Sequence, residues 1–332
     1  MKNIRFLAVV VSLFGLALPA SADTLVVLNK SEHTASLIDP ESGKTLAKLP
    51  VGRGPHEVIV SPDGHTAYVS NFGPYGICPA GDTMCKTPGN TITVLDLAER
   101  RVTATYDYGT NKGQHGSVIS RDGKYIWVTS ETPQSLLEIE TATGKIVNQW
   151  MTKQERSHLV VVTPDEKKFY VSNTVSGSVS VIERATGAVK VIPIGKGAEA
   201  ITISPDGREV WVGMPTDNKL AVISTANDEV TETLESGGAQ PQRIRFTPDG
   251  KDVWVSHVAG DTLTVIVAKS RKVVANVSVG KRPQGIVFSP DGRRGYFAVS
   301  GAKQVAVIDV PSRKLVQNFD TGLDPDGIGL GR

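Results

Sequence analysis

The tetrapeptide Ser-Pro-Asp-Gly, or a close variant, recurs along this chain and constrains its fold more than any other feature. It stands at 61–64, 120–123, 163–166, 204–207, 247–250 and 289–292. Its aspartates are 59, 43, 41, 43 and 42 residues apart, and the long first interval holds an insert around two cysteines. A repeat near 42 residues implies one supersecondary unit used many times, because a unit that short cannot bury its apolar face alone.

Every repeat has the same parts. An apolar run such as VIV (58–60) or IVF (286–288) precedes the turn, and a strand-like segment follows it, as in AYVSN (67–71), IWVTS (126–130) and VWVSH (253–257). An alternating segment comes next, as in TITVLDL (91–97) and QVAVIDV (304–310), and a β-branched return such as SRKVVANVSVG (270–280) closes the unit. Pro and Gly at the turns supply fixed or positive φ. The pattern predicts four short antiparallel strands, a to d from the inside outwards.

The ends complete the count. TLVVLN (24–29), TASLIDP (34–40) and GKTLAKLPVG (43–52) match strands b, c and d without an a, while DPDGIGL (324–330) matches an a with nothing after it. Joined, they make one blade, so the ring closes on itself and leaves no exposed sheet edge. Six whole blades and one shared blade predict an all-β, seven-bladed β-propeller in a single domain over residues 23–332. A solenoid would not need complementary half-repeats at its ends.

The AYVSN, FYVSN (169–173) and SPDG segments resemble those of the YVTN-type β-propeller proteins, and the resemblance spans essentially the whole chain after its leader. It implies the fold and little about function, because propellers host enzymes, cofactor binders and partner platforms alike.

The first 22 residues read as an address. Lys2 and Arg5 precede an apolar run from Phe6 to Leu18, and Ala20-Ser21-Ala22 forms a small-residue cleavage site. This predicts a cleaved signal peptide, a periplasmic protein and no membrane span. The formal charge of +2 comes from Lys2 and Arg5 alone, leaving 34 basic and 34 acidic residues after the leader. That balance weighs against nucleic acid as a partner, single-stranded nucleic acid included. In an oxidising compartment, Cys78 and Cys85 predict a small disulfide-closed loop within the insert at 72–90. An insert of that length between strands b and c is expected to act as a lid or contact surface.

Aligning the repeats on SPDG places one polar residue per blade at the start of strand a: His56, His115, His158, Glu199, Gln242, Gln284 and Asp326. Three histidines on consecutive blades, with Glu199 beside them, suggest a zinc or copper site at the channel mouth. The alternative is a polar channel that simply faces water. Strand-b ends contribute a second ring, including Asn71, Asn173 and His257. The d–a loops add a basic rim of Arg53, Lys112, Arg156, Lys196, Lys281 and Arg282, which would favour a small anionic ligand or a periplasmic protein partner. His115 and Glu131 are sixteen residues apart, a spacing that resembles the catalytic pair of lactonase-type propellers. The arginine-rich strand starts and longer blades of those enzymes are missing here. No nucleophile elbow or phosphate-binding loop occurs. The sequence therefore points first to a monomeric binding or accessory propeller. A metal-assisted or lactonase-like hydrolase or lyase is the second reading, and Trp127, Trp150, Trp211 and Trp254 are read as blade packing.

Overall fold

The computed structural model describes residues 23–73 and 87–332. The leader, and within the insert Cys78 and Cys85, lie outside the described residues. Among the described residues, twenty-eight strands form seven four-stranded antiparallel sheets, as the repeat predicts. The shared blade is present: β28 (Pro325–Gly331) pairs with β1 (Thr24–Asn29), setting Leu25 opposite Leu330 and Val27 opposite Ile328. Chain ends are thereby held in the ring, and Arg332 N–H adds a bond to the Gly64 carbonyl in the next blade.

The repeated turn has a specific construction. Ser61 Oγ donates to Asp63 Oδ1, which also accepts the His65 N–H at 3.1 Å, while the Thr66 N–H reaches back to Ser61 Oγ at 2.9 Å. The same clamp joins Ser120 to Asp122, Thr163 to Asp165, Ser204 to Asp206, Thr247 to Asp249 and Ser289 to Asp291. Glycine ends the turn because φ is positive there, and Glu166 at φ 56° is the exception. Glu166 has a compensating bond: its Oε1 accepts the Arg121 N–H of the preceding blade's turn. Uniform geometry of this kind is turn chemistry and has no bearing on a ligand.

Apolar side chains pack between neighbouring blades. Trp127, Trp211 and Trp254 are wholly buried and Trp150 nearly so, in agreement with a packing role. At the axis the innermost strands come unusually close. A Cβ on Gly116 would sit 2.4 Å from the Leu159 Cα, and one on Gly327 would sit 2.4 Å from the His56 carbonyl oxygen. Absent side chains at these two positions let adjacent a strands approach just behind the polar row, and this proximity shapes the site.

Candidate functional site

Strands β4 (Pro55–Val60), β8 (Lys112–Ile119) and β12 (Ser157–Val162) carry His56, His115 and His158 to one end of the channel. There the imidazoles touch. The His115 ring centroid is 3.7 Å from that of His158 and 4.1 Å from that of His56, which it meets edge-on. A carboxylate ends the row on each side: Asp326 Oδ2 is 2.6 Å from His56 Nδ1, and Glu199 Oε1 is 2.8 Å from His158 Nε2. Gln242 Nε2 continues the row by donating to Glu199 Oε1 at 2.8 Å. Six of the seven aligned strand-a residues thus form one contiguous arc, and Gln284 is buried on the seventh blade.

Burial defines the chemistry of this arc. His115 is inaccessible to solvent, and both of its ring nitrogens lack a hydrogen-bond partner among the described residues. Desolvation, reinforced by the neighbouring His158 and His56, holds its pKa well below the ordinary histidine value. At neutral pH it is an uncharged imidazole with an available lone pair. Desolvation also lowers His56, against the pull of Asp326. Burial alone would raise the Glu199 carboxyl, but the charge and hydrogen bonding of His158 outweigh it and hold the pKa at about 2. Asp326 is likewise lowered: His56, Lys30 and Arg243 together overcome its burial.

Three participants escaped the sequence alignment. Phe72 lies over the row, with its ring 4.8 Å from His115 and 5.4 Å from His56. Lys30 places Nζ 3.6 Å from Asp326 Oδ2. Arg243, one residue past the aligned row, reaches Glu57 Oε1 at 2.6 Å and Asp326 Oδ1 at 3.4 Å. Lys30 and Arg243 are charge partners for a polar row already recognised. Neither carries a motif that could have revealed it.

Other sequence-predicted residues fall elsewhere. Glu131 is not bonded to His115 among the described residues; its Oε1 lies 3.5 Å from Arg156 Nε. Burial raises its carboxyl, with Arg156 opposing. Asn71, Asn173 and His257 are fully buried inside their blades. Asn71 Nδ2 donates to Thr91 and Thr93, Asn173 Nδ2 donates to Ser178 and Ser180, and His257 Nε2 bonds Thr264 at 2.9 Å. These bonds tie strand b to strand c, a task that Asn29 repeats with Thr34 and Ser36. Of the basic rim, Arg156, Lys196, Lys281 and Arg282 are exposed, while Arg53 and Lys112 are half-buried. Arg282 stands 3.9 Å from Asp324. Among the described residues no group of three His, Cys, Asp or Glu side chains is arranged to hold a metal ion. His115 and His158 overlap at a tilt of 37°, while His56 meets His115 edge-on. No helix of the described residues is long and apolar enough to cross a membrane.

Fold and polar row together define a seven-bladed propeller with a chemically distinct channel end. Residues 160–293 match the family model described as YNCE-like beta-propeller, and with the seven blades this match fits the YVTN-type seven-bladed propeller family. No curated protein matches the sequence. Solved structures resemble the fold. A functionally unknown protein from Desulfotomaculum acetoxidans DSM 771 is 14% identical with a TM-score of 0.76, over 93% of this chain and 99% of that one. Hydrazine synthase of Kuenenia stuttgartiensis is 20% identical with a TM-score of 0.69, over 82% and 88%. The dihydro-heme d1 dehydrogenase NirN, in complex with DHE, is 18% identical with a TM-score of 0.63, over 92% and 74%. At these identities the likeness is one of fold.

Proposed function

We propose that this chain is an exported, periplasmic binding or accessory protein that holds a small ligand at the histidine end of its channel, a zinc or copper ion being the simplest. The observation that carries this reading is His115, a neutral imidazole buried with neither nitrogen bonded. An unsatisfied buried polar group costs about 1–3 kcal/mol, and in a native protein it calls for an explanation such as a bound water or ion. A divalent ion accepting the His115 lone pair, with the His158 ring turned out of its tilted overlap with His115, would remove part of that cost. Glu199 and Asp326 are the carboxylates able to neutralise it. The leader predicted over residues 1–22 and the cysteine pair suit an extracytoplasmic life.

Catalysis by His115 and Glu131 has less support, because Glu131 stands beside Arg156 and the imidazole is shielded by Phe72. Two of the similar structures carry enzyme names, but at 18% and 20% identity those names do not transfer to this chain. Calorimetric titration of the tag-free mature protein with zinc and with copper(II) tests the proposal. One saturable site in the wild type, lost in His115→Ala while the melting curve stays cooperative, is the expected result. Absence of a saturable site for either ion removes the metal from the reading.

A further inference from the structure

A different chemistry occupies the opposite half of the channel. Behind the polar row the lumen widens into a cavity of about 480 Å³ that opens towards the SPDG turns, with Pro205 and Pro248 at its rim. Its walls mix aliphatic side chains, among them Val118, Val161, Ile203 and Ile286, with the polar groups of Ser117, Thr202 and Arg245. Glu57 and Arg243, paired at 2.6 Å, stand at its inner end. The size is that of a small-molecule site, and the lining offers both apolar surface and polar groups.

One side chain breaks the pattern. At the aligned mid-strand position the seven blades carry Ile59, Val118, Val161, Thr202, Arg245, Val287 and Gly329. Arg245 is the single charge in that row. It sits on β20 (Pro241–Phe246), two residues from Arg243 and on the same side of the strand, while Ile244 and Phe246 turn into the blade core. Among the described residues no carboxylate comes within 4 Å of its guanidinium and no hydrogen bond is made by it. The group is exposed to solvent within the lumen, and the surrounding walls lower its pKa despite Glu57 nearby. A cation that makes no ion pair in a concave, partly apolar lumen is open to an incoming anion. A guanidinium fork presents paired N–H donors suited to a carboxylate.

We propose that this cavity is a second binding site, for a small organic carboxylate whose acid group pairs with Arg245 and whose apolar body lies along the aliphatic walls. The Thr202 hydroxyl, on the same row and lining the same cavity, is a neutral donor available to the second carboxylate oxygen. This site lies on the other side of the Glu57–Arg243 pair from the histidines, and its occupancy does not depend on theirs.

Octanoate is a suitable probe, with 1-octanol and inorganic phosphate as controls, titrated calorimetrically into the mature protein. The expected result is saturable octanoate binding that weakens about tenfold or more in Arg245→Gln, with both controls binding much more weakly. His115→Ala should bind octanoate as the wild type does, which separates failure of this site from failure of the histidine site. No octanoate binding by the wild type, or equal binding by a folded Arg245→Gln protein, overturns the proposal. Phosphate binding as tightly as octanoate would overturn its apolar half.

Discussion

The two ends of the channel are built from the same seven strands and come out as opposites. At one end, residues at the start of strand a are polar on every blade and packed ring against ring, with His115 fully enclosed. Three residues further along the same strands the side chains are aliphatic on four of the seven blades, the lumen stays open, and one unpaired arginine stands in it. Repetition gives both ends the same strands, so the contrast comes from side-chain choice at two aligned rows and from the glycines at 116 and 327 that let strands close in beside the first. A ring fold offers one row per ligand, and adjacent rows can be set independently.

The largest expected effect on this contrast comes from Gly116→Val. Its Cβ would collide with the Leu159 backbone and force apart the strands that bring His115 to His158. Overpacking of this kind costs about 1–3 kcal/mol and should show as a lower denaturation midpoint in urea. The row's near-contact would go with it, so metal binding should fall while octanoate binding in the wider half persists. Asn173→Ala serves as the comparison inside a blade. It removes donors to Ser178 and Ser180 and an acceptor for Ser157, at an expected cost of about 2 kcal/mol, with neither channel end altered.

His115→Leu should behave in the opposite way. Replacing a buried, unbonded imidazole by an apolar group of similar size is expected to leave stability unchanged or raise it by about 1 kcal/mol. Such a gain, beside loss of metal binding, would mark His115 as a residue kept for function. A loss of several kcal/mol would mark it as structural. The smallest effect concerns the turn face. Hydrogen bonds from the Lys124 backbone and from Ser120, together with the Lys124 side chain, hold Asp122 at about 2, and Asp249 is held at about 2 by Lys251 and Thr247. A carboxyl lowered in the folded state stabilises it above the unfolded pKa near 4, and that contribution disappears as pH falls towards 2. Thermal melts between pH 5 and 2 should therefore decline progressively, and the decline should be shallower in Asp122→Asn, which lacks that titrating group.

Much of this molecule was legible in its sequence because repetition turns spacing into topology. The SPDG interval gave the blade, and the half-repeats at 24–52 and 324–330 gave closure of the ring, which β1 and β28 realise. Alignment on the turn also put the three histidines on one row. Their contact could not be read, because it depends on glycines at 116 and 327 letting neighbouring strands close in. Asn71, Asn173 and His257 end strand b beside the histidine row, but position along a strand does not say whether a polar tip points to the lumen or across to strand c. Glu131 was paired with His115 by spacing, whereas the fold sets it beside Arg156. Arg245 had a readable signal. Comparing the third residue after each row position would have exposed one arginine among Ile59, Val118, Val161, Thr202, Val287 and Gly329.

The histidine end is tested most directly by the metal content of the tag-free protein expressed from its full sequence, measured by elemental analysis beside the His56/His115/His158 triple alanine variant. The account predicts near-stoichiometric zinc or copper in the wild type and none in the variant. Metal-free wild type that stays metal-free after challenge with both ions would contradict it.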